Sequence, residues 1–292
     1  FSSKDLDGSW DDSSAVHVTL ADGNITVDGS GASADGSVLT ITTAGTYVLT
    51  GTLTDGQIVV DASAEDKVQI VLNGADVTCS DSAAVYVKQA DKVFLTVADN
   101  TANTLACGET FSDEATADEV TGAVFSHDDL TVNGSGSLTV NGNYKHGIVS
   151  KDDLVLAGVT LTVNSVSDGL RGKDCVKIAS GTYTITAGTD GIQANNDSDT
   201  TLGFVYIAGG TYTITAGNDG IQAETLLCVT DGDFTVNTGG GSANASTKTD
   251  GGPTGGGQNG GPGGSWGGQT NSGTTAQTSG TPAATTAATV QT

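Results

Sequence analysis

Apolar residues recur along this chain as alternating doublets, Leu138/Val140, Leu161/Val163, Tyr183/Ile185, Tyr212/Ile214 and Phe234/Val236, at intervals of 23, 22, 29 and 22 residues. The long interval holds an insertion, NNDSDTT. A second set runs through Leu130/Val132, Leu154/Leu156, Val176/Ile178, Val205/Ile207 and Leu227/Val229, and a third through Gly147-Ile148, Gly169-Leu170, Gly191-Ile192 and Gly220-Ile221. Alternation with period two, broken by Gly, Asn and Asp, predicts short strands joined by turns. Two stretches are near-copies: GTYTITAGTDGIQA begins at Gly181 and GTYTITAGNDGIQA at Gly210.

Three strands in a repeat of about 22 residues predict one coil of a parallel β-helix. Each coil buries its inward side chains only by stacking on equivalents about 4.8 Å above and below, so residue type is repeated at fixed turn positions. The expected fold class is therefore all-β, a single-stranded parallel β-helix with an atypical N-terminal β cap and a low-complexity C-terminal tail. The expected divisions are an extension at 1–14, N-terminal coils or cap at 15–121 with an acidic insert near 101–121, a regular stack at 122–238, and a tail at 239–292. The tail is Gly, Ser, Thr and Ala with no charge after Asp250, too poor in apolar side chains to offset ordering entropy by itself.

Charge narrows the partners. Ten basic against 34 acidic residues give a net charge of −24, which repels nucleic acid and anionic membrane surfaces. No apolar run approaches the roughly 18 residues that span a bilayer. The chain lacks methionine and opens on Phe1, from which a mature, exported, extracellular protein is expected. Cys79, Cys107, Cys175 and Cys228 have no metal-site spacing; a Cys79–Cys107 bridge and four semi-buried thiols are the two readings. His17, His127 and His146 lack ligand spacing and read as surface residues.

Aligned on the repeat, His146, Asp168, Asp190 and Asp219 form one column, and Asp128, Asp152 and Asp174 another. Two ionised carboxylates about 4.8 Å apart repel by roughly 3.5 kcal/mol at an effective dielectric near 20. Lysine, arginine, a shared proton or a divalent cation must offset that wherever the columns are buried. Lys145, Lys151, Lys173, Lys177 and Arg171 all fall in this stretch. Around the insertion, Asp190, Asn195, Asn196, Asp197 and Asp199 make an oxygen-rich cluster suited to calcium, which takes six to eight oxygen ligands. Asp-Gly also makes turns without any metal.

The phrases SHDDLTVNGSGSLTVNGNYKHGIVSKDDL, GKDCVKIASGTYTITAGTDGI and GFVYIAGGTYTITAGNDGIQAETLL resemble a family of secreted bacterial carbohydrate-binding β-helix proteins of cellulolytic clostridia and related Firmicutes, structurally akin to pectate lyases. The resemblance covers about residues 10–241. It implies a right-handed helix, bound calcium, affinity for cellulose or an acidic, pectin-like polysaccharide, and no proven catalysis. By position it assigns calcium to Asp168, Asp174, Asp190, Asn196, Asp197 and Asp219, and the polysaccharide is assigned to Lys151, Arg171, Lys173, Gln193 and Gln222. Two other classes stay open. One is a calcium-dependent lyase with Arg171 or Lys173 as base; the other is a filament of subunits stacked end to end, with the tail TPAATTAATVQT adding as a strand. Thr139, Thr162, Thr184, Thr213 and Thr235 form an outward ladder, read first as sheet-stabilising and then as sugar- or ice-contacting.

Overall fold

A computed structural model describes residues 1–239; the tail, and with it the expected tail strand and its filament, lies outside the described residues. The described chain is nearly all strand, arranged in a 14-stranded and a nine-stranded sheet.

The expected columns are hydrogen-bonded neighbours. Leu138 pairs with Leu161, Leu161 with Tyr183, Tyr183 with Tyr212 and Tyr212 with Phe234, all in parallel strands. The Thr139, Thr162, Thr184, Thr213 and Thr235 ladder runs beside them on the opposite face. The rings of Tyr183 and Tyr212 stack at 5.0 Å, and those of Tyr212 and Phe234 at 4.5 Å. Tyr183 donates its buried hydroxyl to Ser180 O at 2.6 Å and Tyr212 to Gly209 O at 2.7 Å, so each polar tip is satisfied at the edge of the core.

The architecture departs from the expected fold class. The strands Lys67–Cys79, Ala102–Cys107, Ser137–Gly142, Asp153–Ser165, Asp129–Gly134 and Lys92–Val97 pair in that order and close back on Lys67–Cys79, making a six-strand parallel barrel. The nine-stranded sheet is mixed, because Ala32–Asp35 pairs antiparallel with Val38–Ile41 and the rest runs parallel. The right-handed single-stranded parallel β-helix of three separate ladders is thus corrected to a closed parallel barrel plus a mixed sheet. The physical reason lies at two glycines. Gly74 and Gly158, with φ of 79° and 80°, turn a corner inside the 13-residue strands Lys67–Cys79 and Asp153–Ser165. Each such strand keeps pairing on both sides of its corner, so one element joins two ladders that the sequence pattern separates.

Two appendages cover the outside. Residues 1–10 lie against the 14-stranded sheet, where a helix at Ser3–Leu6 opens with a capping box on Ser2 and Asp5. Buried Asp5 accepts from Thr131 at 2.7 Å and pairs with Lys92 at 2.9 Å. Burial pushes its carboxyl up, but these partners and the Ser2 amide outweigh it and hold it at about 2. The acidic insert begins later than its composition suggests, since Ala102–Cys107 is a barrel strand. Beyond it a short helix, Asp113–Ala117, is capped by Ser112 and sets Phe111, Ala115 and Val120 over Tyr86, Phe125 and Val149 on the outer face of the nine-stranded sheet. Cys79 and Cys107 are ladder partners and both are free thiols.

Replacing Tyr212 by alanine is expected to cost about 3–5 kcal/mol, because it empties a ring site between two stacked neighbours. Thr213→Ala, on the exposed face of the same strand, is expected to stay within about 0.5 kcal/mol. Urea midpoints of the two variants check this.

Candidate functional site

One column of the nine-stranded sheet explains where a site forms. Its outward residues run Tyr86, Phe125, Val149, Arg171, Gln193, Gln222 in successive ladder positions. The first three are apolar and lie under the insert; the last three are polar and lie beyond it. There an open groove of about 560 Å³ forms. Arg171, Gln193 and Gln222 line it together with Asp168 and Asp190 of the Asp-Gly turns.

The expected column of acids is real and largely satisfied by the protein. Asp168 is 3% exposed. Its Oδ2 lies 3.0 Å from Arg171 Nη1 and 3.1 Å from His146 Nδ1, while its Oδ1 accepts from the Thr189 hydroxyl and, at 3.2 Å, from the Asp190 amide. Burial pushes this carboxyl up, but the His146 ring and the Thr189 hydroxyl beside it outweigh that and hold it well below the usual carboxylate range. Arg171 Nη1 also stands 3.4 Å from His146 Nε2. The Asp168 amide donates to the same ring's Nδ1 at 3.1 Å. One repeat on, Asp190 Oδ1 accepts from the Asp219 amide at 3.0 Å and Oδ2 from Gln193 Nε2 at 2.7 Å. Each buried acid in the column thus caps the turn of the next repeat, and backbone dipoles help to offset the stacked charge.

The predicted residues divide accordingly. Asp168, Arg171, Asp190, Gln193, Asn195, Asp197 and Gln222 line the groove together. Asp174, Asn196, Asp199, Asp219, Lys151 and Lys173 are not among its lining residues. Asn196 is buried; its Oδ1 accepts from the Ser198 and Asp199 amides, each at 3.1 Å, and its Nδ2 donates to Asp174 at 2.6 Å. Asp199 accepts from the Thr201 amide at 2.8 Å, making a turn of its own. Lys151 reaches Glu119 of the insert at 3.0 Å, and Lys173 is exposed. Of the eight residues expected to bind calcium, Asp168, Asp190, Asn195 and Asp197 line the groove and the other four lie outside its lining. His146, Asn218 and Glu224 line the groove although their spacing marks none of them as a ligand. His146 is buried rather than superficial, and its place in the Asp column is the signal for it.

A different group of carboxylates comes close enough to share a cation. Asp129, Asp152 and Asp153 each present an oxygen within 4.8 Å of the others. Lys92 lies 3.7 Å from Asp129 and Lys177 2.7 Å from Asp153, which leaves Asp152 the least compensated. Burial, a hydrogen bond with the Asp174 carboxyl and the charges of Asp129, Asp174 and Asp153 push Asp152 up to about 6. This cluster can hold a shared proton or a hard divalent cation.

The chain has recognisable relatives. The family model described as carbohydrate-binding domain-containing protein matches residues 35–290. A protein of Acetivibrio thermocellus with that same description is 40% identical over 126 residues, which is 43% of this chain and 44% of that protein, so the match spans less than half of the relative. Among solved structures, the polysaccharide lyase-like protein from C. thermocellum, in its gadolinium derivative, superposes with a TM-score of 0.71 at 31% identity, over 75% of this chain and 99% of that one. The fold is therefore polysaccharide lyase-like.

Asp152 yields a pH prediction with a definite sign. Its folded value near 6 exceeds the unfolded value of about 3.9, so the folded state holds a proton that the unfolded state releases. Stability from this group is present at low pH and is lost as pH rises through about 4 to 6. Asp152→Asn is expected to flatten that decline and raise the urea midpoint at pH 7; midpoints measured across pH 4–8 check it.

Proposed function

The chain belongs to the family of carbohydrate-binding domain-containing proteins, and on that premise we propose that the groove of Arg171, Gln193 and Gln222 is its polysaccharide-binding site. The observation that supports this most is the replacement of an apolar, covered column by a polar, open one on the same sheet face. Planar amide, carboxylate and guanidinium groups at ladder spacing suit a chain of sugar hydroxyls, which both donate and accept. The polymer is cellulose or a pectin-like polysaccharide, and the protein works outside the cell, where such polymers lie.

We read the site as one that binds rather than cleaves. Arg171, the base candidate within the groove, is ion-paired with Asp168, and a guanidinium does not give up its proton in a protein. Lys173, the other candidate, is exposed and outside the groove lining.

Calcium enters this reading at Asp129, Asp152 and Asp153 rather than at the insertion. Three oxygen ligands within reach of one another suit a hard cation.

Two measurements test the proposal. Gln193→Ala is expected to weaken polysaccharide binding about tenfold, or about 1.4 kcal/mol, in affinity electrophoresis, and unchanged retardation would count against the groove. Calcium is expected to raise the melting temperature at pH 7 in the native chain and not in Asp152→Asn; equal shifts in both would remove the cation from this cluster.

A further inference from the structure

We infer that the groove selects an uncharged, hydroxyl-bearing glycan and turns away uronate chains, because four carboxylates line it against a single guanidinium that is already ion-paired. This rests on the reading of the groove as the polysaccharide site and narrows the class of polymer.

Four carboxylates line it, those of Asp168, Asp190, Asp197 and Glu224, against the one guanidinium of Arg171. That guanidinium is ion-paired with Asp168 through Nη1 at 3.0 Å, and the same nitrogen lies 3.4 Å from His146 Nε2. A uronate carboxylate entering here would meet more like charge than one ion-paired guanidinium offsets. The net charge of −24 adds a repulsive field beyond the groove, weakened by salt.

The amides set the demand for hydroxyls. Gln193 gives its Nε2 to Asp190 at 2.7 Å, which fixes the side chain with Oε1 turned from that carboxylate. Gln193 Oε1 and, one ladder step on, Gln222 Oε1 are shielded acceptors that no donor among the described residues reaches. Shielded acceptors without donors are costly, and a ligand hydroxyl is a donor where an ionised carboxylate is not. Ring hydroxyls supply that donor on neutral and uronate chains alike, and the carboxylates of the lining decide between the two.

The test is calorimetric titration of the full chain at pH 7, in low salt with a chelator, using a soluble neutral β-glucan oligosaccharide and an oligogalacturonate. The neutral ligand is expected to bind at least about tenfold tighter. Gln222→Leu is expected to weaken the neutral ligand about tenfold at unchanged melting temperature. Asp197→Lys, a charge reversal at an exposed position, is expected to strengthen the uronate about tenfold. Uronate binding as tight as glucan without divalent cation, still weakened by Gln222→Leu, would overturn the selectivity while leaving the groove as the site. Absence of binding by both ligands, or a Gln222→Leu variant that binds like the native chain, would overturn the groove and the selectivity together.

Discussion

Every feature of this protein depends on parallel strands stacked in register, so that each inward side chain rests on its equivalent one repeat away. A parallel strand can satisfy its backbone groups only through the strands beside it, about 4.8 Å distant. Equivalent residues then have to share a shape. Tyr183, Tyr212 and Phe234 obey this by stacking their rings, and Ile185, Ile214 and Val236 by continuing one aliphatic column. A single slip of register would exchange these columns with the threonine ladder outside.

The same constraint builds the grooved outer face. Outward residues are forced into columns as firmly as inward ones, so a change of residue type along a column becomes a boundary on the surface. Tyr86, Phe125 and Val149 require cover, which Phe111, Ala115 and Val120 of the insert provide. Arg171, Gln193 and Gln222 continue that column in polar form and leave a groove. Stacked acids are the cost of the arrangement. In the Asp168–Asp190 column it is offset by backbone amides, Arg171, His146 and Gln193. In the Asp129–Asp152–Asp153 cluster the compensation from Lys92 and Lys177 is partial, and that is where a proton or cation has a place.

Much of this is legible in the order of the residues. Ladder partners can be read directly, because repetition reveals which residues share a position even when the path between them is unknown. Of the seven predicted residues that line the groove, Arg171, Gln193 and Gln222 share one ladder column and Asp168 and Asp190 another, while Asn195 and Asp197 belong to the insertion. Asn196 and Asp199 resemble ligands because oxygen-rich turns and metal loops share a composition; in the folded chain their oxygens accept amide protons of their own turns. Asn218 and Glu224 stand where Thr189 and Asn195 stand in the preceding copy, and nothing in residue type alone marks those positions as lining a groove.

The amino-acid sequence by itself determined the repeat, the strand alternation, the core columns and the acidic character, since all four are properties of spacing and residue type. Only the tertiary structure decided that the ladders close into a barrel, because a glycine that ends a strand and a glycine that bends one look alike until φ and the pairing beyond the corner are known. It likewise decided which carboxylates are spent on amides and which remain free, since a hydrogen-bond partner 22 residues away in the chain is a neighbour only once the strands have stacked.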